Sequence, residues 1–292
     1  MRRLPLLLLP LLLSLALAGA ARAAADCADY YDRVKQIGEA QLQYQPLVGL
    51  QPIPDLATAA CVRDVLVRVL EQQGGLGRPV GYKVGLPSKA LQERLNIPPP
   101  VWGVLLAAML LPDGAEVRLP YAARGIVEAD LLVTVASEAI NAATTPEEVA
   151  RSLADLKPFI ELPDLMTGEG QALDATVITA INVGARLGVQ GAALPMTPEL
   201  AAALPAMTVR MTGPGGQLLE APGAAVLGHP LNAVIWLVAA LKAEGKALRP
   251  GDVISLGSFG PPQQPVPGAT FSVTYEGLPG GPLKVRVSFA TE

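Results

Sequence analysis

The sequence predicts an α+β fold in which a helical N-terminal part precedes a β-rich body. Up to about Asn96 the longer segments have apolar residues at helical spacing, whereas from Pro98 onward proline, glycine and short apolar runs dominate. Helix and strand signals do not alternate as regular βαβ units, which argues against a parallel doubly wound sheet. We therefore expect a signal peptide over residues 1–25, a mainly helical segment over residues 26–97 and a β-rich domain over residues 98–292.

The first 25 residues have the pattern of a secretory signal. Arg2 and Arg3 give a positive start, residues 4–17 form an apolar run too short to span a bilayer comfortably, and residues 23–25 offer a small-residue cleavage site. A retained membrane anchor is the alternative interpretation. Asp26 before Cys27 disfavours lipoprotein processing. We expect a periplasmic or secreted protein that has no membrane attachment after cleavage.

Composition excludes some partners. Loss of Arg2, Arg3 and Arg22 with the signal would reduce the 22 basic residues to 19, against 26 acidic residues, for a formal charge of −7. Such a chain is a poor partner for nucleic acid or an anionic membrane surface. The apolar stretch 226–241 is interrupted by His229-Pro230 and Asn232, so it predicts a buried helix.

The helical segment contains two cysteines, Cys27 and Cys61. In an exported protein they could form a disulfide that anchors the N-terminal end to a helix beginning near Asp55. Two free buried thiols are the alternative. Asp55 is the candidate N-cap of that helix, and Gly74-Gly75 is its candidate stop. A strand pattern follows in "RPVGYKVGL", residues 78–86.

Within the β-rich part, one helix start is explicit. Thr145, followed by Pro146 and Glu148, has the capping-box pattern. We expect this helix to continue through Leu153 and Leu156 and to end before Pro158, where "FIELP" returns to a strand. Further on, "TGPGG" predicts a hairpin between 208–211 and 217–220, and "DVISLGS", "ATFSVTYEG" and "LKVRVSF" predict closing strands.

The strand "RGIVEADLLVTV", residues 124–135, carries Glu128 and Asp130 inside an apolar run. Residues i and i+2 of a strand point to the same face, so the two carboxylates would share one small volume. A nearby cation would offset their repulsion, whereas a solvated edge strand is the alternative. Glu161 is a third acid on an apolar strand. Together the three acids make an all-oxygen ligand set suited to Mg²⁺ or Mn²⁺.

Two further residues are candidates for chemistry. Lys83, in "GYKVG", could hold a substrate carboxylate or exchange a proton beside a metal, or it could be an exposed edge-strand lysine. His229, the single histidine, could be a proton shuttle or a helix-capping residue. The chain contains no G-x-S-x-G elbow, Walker motif or dinucleotide fingerprint.

Several short sequence motifs, taken in their order and spacing along the chain, resemble those of the fumarylacetoacetate hydrolase superfamily. The similarity runs from about Gly81 to Phe289, through "GYKVGL", "VWGVLLAAM", "EAD", "IELPD", "LGHPLNAVIWLVAAL" and "ISLGS". Within the superfamily it is strongest toward 2-keto-4-pentenoate hydratases and oxalocrotonate decarboxylases. The resemblance implies a mixed β-roll core, a Mg²⁺ or Mn²⁺ ion held by Glu128, Asp130 and Glu161, and a catalytic and substrate-binding role for Lys83.

The resemblance also implies a reaction: metal-dependent hydration of a 2-hydroxy-dienoate or 2-keto-enoate by an enzyme that acts on a small 2-keto acid. Decarboxylation of a 2-keto-dioate and C–C hydrolysis of an acylpyruvate are enzymatic alternatives, and an exported binding protein without turnover is a third. A homo-oligomer is compatible with the sequence. This chain departs from the hydratase pattern at Asp130, where Glu is usual, at Ala108, where many members have an acid, and after Glu161, where Arg is frequent.

Overall fold

The fold is described from a computed structural model that covers residues 27–48, 52–86, 92, 100–168 and 173–290. The expected signal peptide and the expected boundary at 97–98 lie outside these residues. The helices are α1 (Tyr31–Leu42), α2 (Leu56–Gln72), α3 (Pro146–Arg151), α4 (Ala175–Ala180), α5 (Pro198–Ala203) and α6 (Asn232–Ala243). The strands are β1 (Pro79–Gly85), β2 (Val101–Leu106), β3 (Leu110–Pro112), β4 (Glu116–Arg118), β5 (Glu128–Val135), β6 (Leu153–Leu162), β7 (Leu187–Gln190), β8 (Leu194–Pro195), β9 (Thr208–Gly213), β10 (Gly216–Pro222), β11 (Val253–Ser255), β12 (Thr270–Glu276) and β13 (Leu283–Ala290).

The strands form two sheets, and the predicted α+β class is confirmed. The larger sheet has the order β2-β1-β11-β5-β6-β7-β3, with β8 also paired to β6, and it mixes parallel and antiparallel neighbours. The smaller sheet has the order β10-β9-β12-β13-β4. Strand β1 belongs to the larger sheet although it comes from the mainly helical segment, so the two parts share one sheet.

The pairing of β5 with β6 positions the acidic residues. In this antiparallel register Glu128 lies opposite Glu161, and Asp130 lies opposite Phe159. Strands β12 and β13 of the smaller sheet pack against β6. The acid-bearing strands therefore lie inside the molecule, where the apolar residues between the two sheets are buried.

The N-terminal helical segment is closed by a disulfide and packs against the body. Cys27 and Cys61 are joined by a disulfide, with their Cα atoms 5.9 Å apart. The predicted N-cap is confirmed, because the Asp55 carboxylate accepts a hydrogen bond from the Thr58 amide at 2.8 Å. Helix α2 packs against α1, α4 and β2. The disulfide therefore fixes the first described residue to the helix that covers one end of the larger sheet.

The capping box at Thr145 is confirmed, but the predicted length of its helix is wrong. Helix α3 ends at Arg151, and Leu153 and Leu156 lie on β6 instead. Both residues pair with β5, where Leu156 lies opposite Val133 and is fully buried. The long pairing with β5 overrides the local helical spacing, because the apolar residues fit equally well on a strand buried on both faces.

The other predicted elements are present. Strands β9 and β10 pair antiparallel as a hairpin, and β11, β12 and β13 coincide with the three closing strand signals. The apolar stretch 226–241 forms a turn and then α6, whose inward residues are buried. In the part of the chain that the structure describes, no helix has both the length and the apolarity required to span a membrane.

The disulfide closes a loop between cysteines 34 residues apart in sequence. A loop of this length is expected to stabilise the folded state by about 3–4 kcal/mol, mainly by restricting the unfolded chain. We predict that Cys61→Ser lowers the free energy of unfolding by about that amount in urea titrations. Cys27→Ser should have the same effect, and reductant should destabilise the wild type but neither variant. Equal stability of wild type and both variants would contradict the prediction.

Candidate active site

A cavity of about 60 Å³ brings together three of the predicted site residues. Lys83 comes from β1, Glu128 from the start of β5 and Glu161 from near the end of β6. Ser258 adds a hydroxyl group to the same lining. The rest of the wall is largely apolar: Val84, Leu86, Ile126, Pro163, Leu165, Ile178 and Val183. The cavity therefore combines a small charged cluster with a hydrocarbon wall.

Lys83 and Glu161 form a buried ion pair. Lys83 Nζ lies 2.7 Å from Glu161 Oε1, and both side chains are at most 4% exposed. The alternative of an exposed edge-strand lysine is wrong, since β1 lies between β2 and β11. The contact lacks the angles of a hydrogen bond, and Glu161 Oε1 accepts none from any described residue. A buried anionic oxygen in this state has capacity for a further cationic partner.

Glu128 is the second carboxylate of the cavity. Burial raises its pKa from 4.5 to about 7, and the negative charge of Glu161 adds to this effect. The Lys83 ammonium opposes the shift by favouring the ionised form. Glu128 therefore holds its proton at a pH where an ordinary glutamate is ionised.

Asp130 lies on the same face as Glu128 but is not part of the cavity wall. Its Oδ1 accepts hydrogen bonds from the amides of Leu131 (2.6 Å) and Gly257 (2.8 Å), and the Ser255 hydroxyl donates to its Oδ2. Complete burial, reinforced by the charge of Glu161, raises its pKa well above the usual range, although the hydrogen bonds from Ser255 and Leu131 oppose the shift. Among the described residues, no three Asp, Glu, His or Cys side chains are arranged around a common point that could hold a metal ion.

Tyr275 supports the acid-bearing strands and was not predicted from the sequence. It is fully buried on β12, and its hydroxyl lies within hydrogen-bonding distance of the backbone carbonyls of Asp130 and Phe159, 3.1 Å from the latter. The Tyr275 hydroxyl therefore connects the smaller sheet to β5 and β6. It does so at Asp130 and Phe159, which lie opposite each other in the β5–β6 register. The sequence did contain a signal for this role. Tyr275 falls on the inward face of the alternating strand "TFSVTYE", and a buried tyrosine hydroxyl requires a hydrogen-bond partner.

His229 lies outside the cavity wall. Its Nδ1 accepts a hydrogen bond from the Leu231 amide at 3.1 Å, and its Nε2 lies 3.2 Å from the Ala201 carbonyl, to which it can donate. Burial lowers its pKa. These contacts support the capping interpretation, since they hold the turn that precedes α6. Ala108 is exposed in the turn after β2 and does not line the cavity.

Known proteins with related sequences identify the family. No protein-family model matches the chain. It is 30% identical to the TodF product hydratase of Pseudomonas putida strain F1 over 267 residues, which cover 91% of this chain and 95% of that protein. It is 29% identical to 2-keto-4-pentenoate hydratase 2 of Dechloromonas aromatica over 233 residues, covering 80% and 87% of the two chains.

Solved structures show the same fold. The 4-oxalocrotonate decarboxylase of Pseudomonas putida G7, complexed with magnesium and adipate, superposes with a TM-score of 0.79 at 24% identity, over 91% of this chain and 98% of that one. The fold is therefore the mixed β-roll type of the fumarylacetoacetate hydrolase superfamily, as the sequence motifs indicated. Within that superfamily, the chain belongs to the family of the 2-keto-4-pentenoate hydratases.

The raised pKa of Glu128 predicts how the stability of the metal-free protein depends on pH. Between about pH 4.5 and pH 7 the folded state retains a proton that the unfolded state has lost. The free energy of unfolding should therefore fall as pH rises, by at most about 1.4 kcal/mol per pH unit for this group. We predict that Glu128→Gln removes this part of the pH dependence in urea titrations with a chelator present.

The exposed Glu39 provides a matched control, and Glu39→Gln should keep the wild-type pH dependence. If Glu128→Gln and wild type lost stability in parallel between about pH 5 and pH 8, the assignment of the bound proton to Glu128 would be wrong.

Proposed function

We propose that this protein is a divalent-metal-dependent hydro-lyase that adds water to a 2-hydroxy-2,4-dienoate or its 2-keto-enoate tautomer. The observation that carries the proposal is the cavity in which the Lys83–Glu161 ion pair and Glu128 face an apolar wall. A chain of the 2-keto-4-pentenoate hydratase family that keeps such a cavity has the two features this substrate needs. The charged groups suit the carboxylate and 2-oxygen, and the apolar wall suits the diene.

The residues present fit a divalent cation. Glu128, Asp130 and Glu161 offer hard oxygen donors, which Mg²⁺ and Mn²⁺ prefer. Glu161 Oε1 is buried and accepts no hydrogen bond from the described residues, since the ammonium of Lys83, 2.7 Å away, lacks the required angles. The Asp130 carboxylate accepts three hydrogen bonds, which leaves one of its roughly four lone-pair positions free. We propose that these three carboxylates hold Mg²⁺ or Mn²⁺, which requires Asp130 to turn toward Glu128 and Glu161, since among the described residues the three do not surround a common point. When bound, such an ion would stabilise negative charge on the 2-oxygen of the substrate.

Lys83 has the clearest role among the protein side chains. Its ammonium group is buried and in contact with Glu161, so it is held in one place by packing and charge. In this position it can pair with the substrate carboxylate, or give a proton to the carbon chain when the dienol becomes the keto form. The apolar wall around it keeps bulk water away, which strengthens each of these electrostatic contacts.

The cavity favours hydration over decarboxylation of a 2-keto-dioate. A 2-keto-dioate carries a second carboxylate, yet Lys83 is the single cationic side chain among the described residues of the wall. A binding protein without turnover is favoured by one observation, the alanine at position 108, where many related proteins have an acid.

We also propose that the protein is exported to the periplasm or secreted. Support comes from the signal-peptide pattern of residues 1–25 and from the disulfide between Cys27 and Cys61, because structural disulfides are typical of oxidising compartments. The N-terminal sequence of the protein purified from its native host tests this, since export predicts a mature chain that begins near Asp26.

Metal binding should depend on the acidic residues individually. Each of Glu128→Gln and Glu161→Gln replaces an anionic oxygen donor with a neutral amide of the same shape. We predict that either change abolishes Mg²⁺ binding in calorimetry at millimolar metal, while the fold is retained. Glu39→Gln, on the exposed face of α1, should bind Mg²⁺ as the wild type does. Unchanged affinity in both cavity variants would refute the metal site.

Turnover should depend on Lys83 beyond its effect on folding. With Mg²⁺ and 2-hydroxypentadienoate, loss of the ultraviolet absorbance of the dienol follows the reaction. We predict that Lys83→Met retains Mg²⁺ binding but lowers turnover by about 100-fold or more. Lys83→Arg should not restore it, because the planar guanidinium is larger and does not give up its proton.

Lys157→Met is the matched control, since this lysine on β6 pairs with Asp155 outside the cavity wall. It should turn over substrate at the wild-type rate. Wild-type turnover in Lys83→Met would remove Lys83 from the mechanism. Binding of the dienoate without turnover by the wild-type protein would favour the non-catalytic alternative.

A further inference from the structure

Val183, which lines the active-site cavity, is the middle one of three consecutive residues in a left-handed conformation. Asn182, Val183 and Gly184 have φ values of 56°, 52° and 64°. Glycine adopts this conformation readily and asparagine tolerates it, but a β-branched valine there is a genuine outlier. Such residues persist only where the surrounding structure holds them, and they concentrate at functional sites.

The side chain of Asn182 holds this turn against β2. Its Nδ2 donates to the Val104 carbonyl at 2.9 Å, and its Oδ1 accepts from the Val104 amide at 2.7 Å. Asn182 is completely buried, so these bonds form away from water. Gly103 permits the approach, because a Cβ at that position would lie 2.4 Å from the Asn182 carbonyl oxygen. The turn therefore docks on the edge strand of the larger sheet as a short strand would.

The same turn presses Val183 against the strand that carries Lys83. A Cβ on Gly85, two residues after Lys83, would lie 2.5 Å from Val183 Cγ1. Val183 is 5% exposed and belongs to a small apolar cluster with Leu86, Val101 and Ile178. Leu86, Ile178 and Val183 line the cavity, whereas Val101 does not and faces a separate cavity beside Trp102. Val183 thus forms part of the apolar wall of a cavity of only about 60 Å³.

We propose that Val183 determines the length of the substrate tail that this site accepts, and that Asn182 is the positioning residue that holds Val183 in place. This inference rests on the proposed function, because it assigns the polar groups of the cavity to the carboxylate and 2-oxygen of a 2-keto acid. The carbon chain beyond them must then occupy the space bounded by Val183, Leu86 and Ile178. A glycine at position 183 would relieve the backbone strain but would leave that space open.

The test compares wild type, Val183→Ala and the control Val101→Ala, which loses the same atoms from the same apolar cluster outside the cavity wall. For each protein with Mg²⁺, kcat/KM is measured with 2-hydroxy-2,4-dienoates of increasing tail length. Binding of the unreactive acids 2-oxopentanoate, 2-oxohexanoate and 2-oxooctanoate is measured by calorimetry. We expect Val183→Ala to shift the ratio of long to short ligands by about tenfold or more in both assays, and Val101→Ala to keep the wild-type ratio.

A second measurement tests the conformation independently of any ligand. At a position with ordinary φ, a glycine variant is less stable than an alanine variant, but at φ 52° the order should reverse. We expect Val183→Gly to melt at a higher temperature than Val183→Ala. The opposite order would contradict the strained geometry on which the inference is built.

The outcomes separate the inference from the proposed function. A tail-length shift in binding without turnover by any variant would uphold the role of Val183 and reject the hydratase activity. Turnover with the same tail-length profile in wild type and Val183→Ala would uphold the activity and reject the role of Val183. Neither binding nor turnover of these acids by the wild type would reject both.

Discussion

Three carboxylates lie on one face of a sheet, with Asp130 and Glu161 buried and Glu128 half-buried, and this is the constraint on which the rest of the structure depends. The register of β5 with β6 places Glu128 directly opposite Glu161, so the backbone hydrogen bonds that build the sheet also force like charges together. Each group would be strongly hydrated in water, and the backbone register keeps their Cα atoms opposite each other. The surrounding residues have to offset that repulsion.

The three acids are stabilised in three different ways. Glu161 faces the ammonium of Lys83, Asp130 accepts hydrogen bonds from Ser255 and two backbone amides, and Glu128 retains a proton up to about pH 7. These differences matter for function, because they leave Glu128 and Glu161 with unused capacity inside the cavity. The divalent cation that we propose for this site would use that capacity.

The apolar side of the cavity is shaped by backbone strain. Leu86 and Val183 line it with positive φ, and Met166, next to the lining residue Leu165, has a φ of 56°. Left-handed backbone reverses the chain in very few residues, so it brings apolar side chains close to the charged cluster without a long loop. The cost is met by contacts made elsewhere, such as the two hydrogen bonds from Asn182 to Val104.

The sequence by itself determined the features that depend on near neighbours in the chain. The caps at Asp55 and Thr145, the β9–β10 hairpin and the shared face of Glu128 and Asp130 follow from local spacing, and the order of motifs indicated the superfamily. The tertiary structure decided what depends on distant residues. It moved Leu153 and Leu156 from a helix to β6, placed the Tyr275 hydroxyl on the carbonyls of Asp130 and Phe159, and held Val183 in a left-handed turn. These features could not be predicted, because each one is stabilised by a contact with a strand that lies far away in the sequence.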